Sequence, residues 1–155
     1  MGIEIERKYL IANDSWQENA DEGIQMIQGY MSSNDKSSVR IRVNGEIANL
    51  NIKSKTIGAQ RSEFDYLIPV AEAMEMLETL CNKPFIKKTR YHVKFQDHTW
   101  EIDVFAGENQ GLIVAELELN SVDENFVLPD WIGKEVTDDP RYYNICLVSH
   151  PYKDW

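Results

Sequence analysis

Polar and apolar residues alternate with period two through most of this chain, the signature of β-strands whose two faces meet different surroundings. The alternation predicts strands over residues 3–10, 24–32, 38–43, 47–55, 61–68, 85–95, 99–105 and 112–119. Asn44-Gly45 is a hairpin signal, because both residues tolerate the positive φ of a tight turn. Further turns are expected at Asp97-His98 and over 107–111. The period changes to a helical one between Pro69 and Pro84, where Ala73, Met74, Leu77, Leu80 and Cys81 share a face. Asn13-Asp14-Ser15 supplies N-cap types for a short helix over 14–22. The tail from Pro129 reads as loops with one short helix near 141–148.

What sets the pattern apart is the polar half of the alternation. Glu4, Glu6 and Lys8 share a face, as do Arg40 with Arg42, Lys53 with Lys55, and Arg61 with Glu63 and Asp65. Lys88 and Arg90, Glu101 and Asp103, and Glu116 and Glu118 repeat the arrangement. A sheet face turned to water is common and ordinarily mixes Thr, Ser, Gln and Lys. Here strand after strand carries full charges, with like signs two residues apart. Such neighbours repel unless a ligand of opposite sign lies between them. Basic pairs call for a polyanion and acidic pairs for divalent cations; a metal-bound polyphosphate supplies both. If the charged faces converge, the sheet closes. The expected class is α+β, mainly antiparallel β: a closed barrel of about eight strands with a charged interior. The apolar faces then point outward, under helices at 14–22, 70–83 and 141–148. Such an interior requires mutual pairing or bound ions.

Composition narrows the partners. The chain has 155 residues, which fits one domain over 1–155. Its 16 Lys and Arg against 26 Asp and Glu leave a net charge of −10, which argues against nucleic acid and anionic membrane. No apolar run approaches the roughly 20 residues of a membrane span. The start, Met1-Gly2-Ile3-Glu4-Ile5-Glu6, is acidic where a secretory signal is basic. Cys81 and Cys146 lack metal-motif spacing and read as free thiols of a reducing, cytoplasmic compartment. His92, His98 and His150 have no zinc spacing, and Ser62 and Ser149 sit in no nucleophile elbow.

The run Glu4-Ile5-Glu6-Arg7-Lys8 has the form ExExK, and further segments follow in order. They are Gln28-Gly29-Tyr30, Val39-Arg40-Ile41-Arg42, Ile52-Lys53, Glu63-Phe64-Asp65-Tyr66 and Lys88-Thr89-Arg90-Tyr91. Trp100 to Phe105, Ala115 to Leu119, Trp131 to Thr137 and Tyr142-Tyr143-Asn144 complete the set. Together they resemble the CYTH superfamily, the triphosphate tunnel metalloenzymes, and most of all its short bacterial stand-alone tripolyphosphatases. The resemblance implies an eight-stranded tunnel in which Lys8, Arg40, Arg42, Lys53, Lys88 and Arg90 hold phosphate oxygens. Lys134, in the Gly-Lys-Glu-Val-Thr segment, is expected at the tunnel mouth. Glu4, Glu6, Glu63, Asp103, Glu116 and Glu118 are the implied ligands of Mg²⁺ or Mn²⁺, with Glu4, Glu6 and Lys8 as the catalytic set. Two ions are expected, one bridging phosphate oxygens and one activating water. Asp65 stands where the family often has Glu, and Lys55, Arg61 and Glu101 fit the face pattern more firmly than the family. The implied reaction is hydrolysis of inorganic tripolyphosphate to pyrophosphate and orthophosphate. Adenylate cyclase, thiamine triphosphatase and a non-catalytic polyphosphate binder are the alternatives.

Overall fold

In the computed structural model, which describes residues 2–55 and 57–155, nine strands form one antiparallel sheet. They are β1 (Gly2–Ile11), β2 (Ile24–Ser33), β3 (Ser37–Asn44), β4 (Ile47–Ser54), β5 (Gln60–Ile68), β6 (Ile86–Phe95), β7 (His98–Phe105), β8 (Ile113–Glu118) and β9 (Ile132–Glu135). Their order is β5-β4-β3-β2-β6-β7-β8-β1-β9, and β5 also pairs with β1. That last pairing, Gly2 to Ile5 against Glu63 to Gln60, closes eight strands into a barrel. β1 gives one edge to β8 and divides the other, its first half going to β5 and its second to β9.

Alternation decides what each wall faces. The outward residues of β1, β6, β7 and β8 include Ile5, Tyr9, Val93, Trp100, Ile102, Ala115 and Leu117, all buried. They are covered by Trp16, from the 3-10 turn Asp14–Asn19, and by Phe126 and Trp131. On the opposite wall Ile41, Val43 and Ala48 pack under helix α1 (Val70–Leu80) through Ala73 and Leu77. β2 lies so close to this helix that a Cβ on Gly29 would stand 2.7 Å from Leu77 Cδ2 and 2.9 Å from Cys81 Cβ. This is an inside-out barrel, apolar on its outer surface and covered there by helix and loop.

Besides the helix expected over 14–22, which is a 3-10 turn ending at Asn19, two features depart from the sequence-based expectations. The helix expected over 141–148 resolves into a 3-10 turn (Pro140–Tyr142) and α2 (Asn144–Ser149). It does not lie on the outer wall: Tyr142 and Leu147 pack with Tyr30, Ile86, Phe105 and Val114, residues on the barrel's inner face at one end. The inner face therefore turns from charged to apolar within a strand, as from Lys8 to Leu10 and from Glu116 to Val114. The second departure is β9, in a stretch whose pattern reads as loop. Four residues including a glycine are too few for an alternation signal, and its place is set by tertiary contact. A Cβ at Gly133 would meet the Leu10 carbonyl oxygen at 3.1 Å, so close approach to β1 selects glycine. Among the described residues, no helix is long and apolar enough to cross a membrane.

Candidate active site

The inner faces of the eight barrel strands enclose a polar cavity of about 180 Å³, which continues into a narrower chamber of about 40 Å³. Glu4 and Glu6 reach it from β1, Arg40 and Arg42 from β3, Lys53 from β4 and Glu63 from β5. Lys88 and Arg90 of β6, Glu101 of β7 and Glu116 and Glu118 of β8 complete the larger space. Lys8 lines the narrow chamber.

The far wall is organised around Asp103, which is fully buried. Its Oδ1 accepts from Arg90 Nε at 2.8 Å, and its Oδ2 accepts from Arg90 Nη2 at 2.9 Å and Lys88 Nζ at 2.7 Å. Arg90 also donates to Glu101 at 3.1 Å and to Glu116 at 3.3 Å. Glu101 and Glu116 stand directly opposite each other across β7 and β8, a like-charge pair that Arg90 neutralises. Burial works against the Arg90 charge, yet Asp103 and the two glutamates hold its pKa well above the usual value. Lys88 is different: burial outweighs Asp103 and lowers its pKa to about 8. Asp103, expected among the metal ligands, has both oxygens committed to these cations and does not line the cavity.

The near wall is left open. Among the described residues no ion pair engages Arg40, Arg42 or Arg61, and the Nε of each is buried without a hydrogen-bond partner. Burial, with Arg40 and Arg90 nearby, pushes the Arg42 guanidinium below its usual pKa. Lys53 joins this wall to the carboxylates, donating to Glu4 at 2.9 Å and standing 3.5 Å from Glu63. Burial and a hydrogen bond shared with Glu63 push the Glu4 carboxyl up, while the same bond holds Glu63 down. Glu6 and Glu118 face each other across β1 and β8, and no ion pair among the described residues engages either. Burial also raises Glu101, against the pull of Arg90.

Lys134 sits apart. It is exposed on β9, beside an outer groove formed by residues 134–140, and does not line the barrel interior. Lys55 lies beyond the end of β4 and is exposed, whereas Arg61, Glu101 and Asp65 all line the interior. Asp65 accepts at 3.3 Å from Asn49 and from Asn51. The sequence reading does not single out these asparagines, although Asn49, Asn51 and Lys53 follow the same period. Gln28, present in the Gln28-Gly29-Tyr30 segment but given no role there, is fully buried with no partner for either amide atom. A single amide between Met26 and Tyr30 gives no charge pattern to detect. Tyr143 and Asn144 enter from α2 and its approach, where no strand alternation could reveal them.

Comparison with known proteins agrees with this architecture. A protein named inorganic triphosphatase from Acetivibrio thermocellus is 47% identical over 155 residues, covering 100% of this chain and 99% of that protein. Another of the same name from Nitrosomonas europaea is 36% identical over 149 residues, covering 94% and 96%. The solved structure of an inorganic triphosphatase, 34% identical, superposes with a TM-score of 0.65 over 93% of this chain and 96% of its own. The CYTH domain model matches residues 2–145, and the chain belongs to the CYTH domain family.

Proposed function

We propose that this protein hydrolyses inorganic tripolyphosphate to pyrophosphate and orthophosphate inside the barrel, with Mg²⁺ or Mn²⁺ as cofactor. One observation carries the reading: the interior holds unmatched groups of both signs side by side. Among the described residues Arg40, Arg42 and Arg61 form no ion pair with a carboxylate, and Glu6 and Glu118 face each other with no ion pair to either. A polyanion with divalent cations completes both. The two full-length relatives bear the same activity in their names.

The residues fit such a metal. Among the described residues no three Asp, Glu, His or Cys side chains come together as a ready-made metal cage. Mg²⁺ requires none, because it takes few carboxylates and completes its shell with water and substrate oxygens. Glu4, Glu6, Glu63, Glu116 and Glu118 would hold two such ions. A bound divalent cation supplies neutralisation of charge on the phosphate oxygens. Arg40 and Arg42 bind those oxygens through their planar forks, and Lys8 and Lys53 as point charges. Lys88 and Arg90 reach the substrate from the opposite side, held in place by Asp103, which acts as a positioning residue. Glu4 and Glu6, with Lys8 on the same face of β1, form the candidate catalytic set, and Lys53 donates to the Glu4 carboxylate at 2.9 Å. The free thiols of Cys81 and Cys146 fit work in the cytoplasm.

The test is to offer chelator-stripped protein tripolyphosphate, ATP, thiamine triphosphate and pyrophosphate, with and without Mg²⁺ or Mn²⁺. Metal-dependent orthophosphate release from tripolyphosphate, well above that from ATP, is the expected result. Cyclic AMP or thiamine diphosphate as the main product would replace the reading with a cyclase or a thiamine triphosphatase. Tight tripolyphosphate binding without turnover would leave a polyphosphate binder.

A further inference from the structure

Residues 150–155 lie beyond the stretch 2–145 that the CYTH domain model matches, and none of them lines the barrel cavity. They fold into a compact turn. The Asp154 N–H donates to the Pro151 carbonyl at 3.0 Å and the Trp155 N–H to the Tyr152 carbonyl at 3.2 Å. The Trp155 indole N–H donates to the His150 carbonyl at 3.1 Å, and Pro151 is buried.

This turn is fastened on two sides. On one, the Tyr152 N–H donates at 2.8 Å to Oδ1 of Asn109, a buried side chain in the connection from β7 to β8. Lys153 pairs with Glu108 of the same connection. On the other, the Trp155 ring packs edge-to-face on Tyr142, with centroids 5.0 Å apart and planes at 82°. The Arg141 guanidinium lies over both rings, 5.5 Å from the centre of Tyr142 and 5.0 Å from that of Trp155. Its ion pair with Asp139 keeps it there.

Tyr142 connects this packing to the site. Its ring is buried beside Trp155, while its carbonyl accepts from the buried Lys8 Nζ at 3.1 Å. The residues that follow also meet site cations. Lys8 Nζ stands 5.6 Å from the centre of the Tyr143 ring, and Asn144 Oδ1 accepts from Lys88 Nζ at 3.4 Å. No sheet ladder holds Tyr142, so side-chain packing sets where its carbonyl points. An edge-to-face pair prefers one mutual orientation and so fixes angle as well as distance. An ammonium has three donors, and anchoring one of them on a fixed carbonyl aims the other two.

We infer that Trp155 is a positioning residue: by packing on Tyr142 it holds the carbonyl that aims the Lys8 ammonium into the barrel. This rests on the tripolyphosphatase reading for what Lys8 meets there. It extends the working site to a segment outside the matched family domain.

A double-mutant cycle tests the link, with isothermal titration of metal-free protein by tripolyphosphate as the readout. Trp155→Ala is expected to weaken binding roughly 3- to 10-fold, the scale of one aromatic pair. Trp155→Phe, which keeps a ring, should recover most of that loss. In a Lys8→Met background Trp155→Ala should cost less than about 2-fold, because no ammonium remains to be aimed. Thermal midpoints are measured alongside, and if Trp155→Ala does not fold, Trp155→Phe carries the cycle. A lowered midpoint with unchanged affinity, or a loss that persists in full without Lys8, overturns the inference, since either leaves Trp155 as support for the fold alone. Turnover is read separately. A parent that binds tripolyphosphate without cleaving it removes the hydrolase reading and leaves the cycle to be judged on affinity. Cleavage combined with affinity indifferent to position 155 removes the positioning role alone. A parent that neither binds nor cleaves tripolyphosphate removes both.

Discussion

Replacing Asp103 with asparagine separates two roles for this carboxylate, because they predict opposite signs for the stability of metal-free protein. Asp103 is fully buried, and its oxygens accept three hydrogen bonds of 2.7 to 2.9 Å from Lys88 and Arg90. The amide introduced by Asp103→Asn would point N–H donors at a cation and remove the charge that balances two buried ones. Breaking a buried ion pair from one side costs about 3–5 kcal/mol. Against a typical total of about 5–15 kcal/mol, that is a large part of the fold's stability. At roughly 2–4 °C per kcal/mol for a chain of this size, the thermal midpoint should fall by about 6–20 °C. Urea unfolding followed by tryptophan fluorescence measures the loss, with Trp100 buried on the outer face of the same strand as a reporter. Added tripolyphosphate should narrow the gap, since an anion can take over the stranded donors. If Asp103 served instead as a metal ligand among surplus carboxylates, Asp103→Asn would leave the metal-free protein unchanged or more stable. A variant within about 1 kcal/mol of the parent would refute the positioning role.

Other expectations can be checked with the same protein. Arg40→Ala should lower kcat/KM for tripolyphosphate by more than about 100-fold, the scale of one lost electrostatic donor, and near-parent kinetics would sink the phosphate clamp. Mg²⁺ at about 100 times its Kd should stabilise the fold by about 2.7 kcal/mol, and a midpoint unmoved by Mg²⁺ or Mn²⁺ would count against the carboxylates as ligands. Gly29→Ala should destabilise by about 1–3 kcal/mol in urea titration, because Leu77 is buried and has no room to yield. Arg7 holds the Glu135 carboxylate below its ordinary value of 4.5 by donating to it at 2.8 and 2.6 Å. A depressed carboxylate contributes stability above its unfolded pKa and loses it as pH falls through the folded one. Below pH 4.5 the parent should therefore lose about 0.5 kcal/mol more than Arg7→Ala, and parallel acid limbs would contradict the clamp.

The barrel is legible in the sequence because its alternation is so plain. Arg40 and Arg42 against Ile41 and Val43 already say that one face meets charge and the other a core, and the structure places them so. What a strand pattern cannot encode is partnership across the barrel. Arg42 and Arg90 look alike in sequence, yet one has no ion pair among the described residues and the other holds three carboxylates, because register alone sets Arg90 opposite Asp103. The motif around Lys134 suggests a place at the tunnel, but β9 joins the sheet at an edge and turns that lysine outward. The apolar content of α2 suggests outer cover. The apolar ends of the inner face, Leu10, Ile86 and Val114, offer it a different seat.

The way β1 shares its edges bears on how the chain reaches this fold. β1 precedes every other strand in the chain, yet its partners lie at residues 60–63, 114–118 and 132–135. The β2-β3-β4 meander with α1 can form from neighbouring sequence, but the opening strand has both edges bare until most of the chain has followed. Non-local pairing of this kind slows folding, because loop closure precedes any stabilising contact. The charged ExExK run lies within that waiting strand, and Glu4, Glu6 and Lys8 keep an unpaired edge from adhering to its neighbours. Charges proposed to serve the finished barrel as a binding site thus also guard it against aggregation while β1 is still a single extended segment.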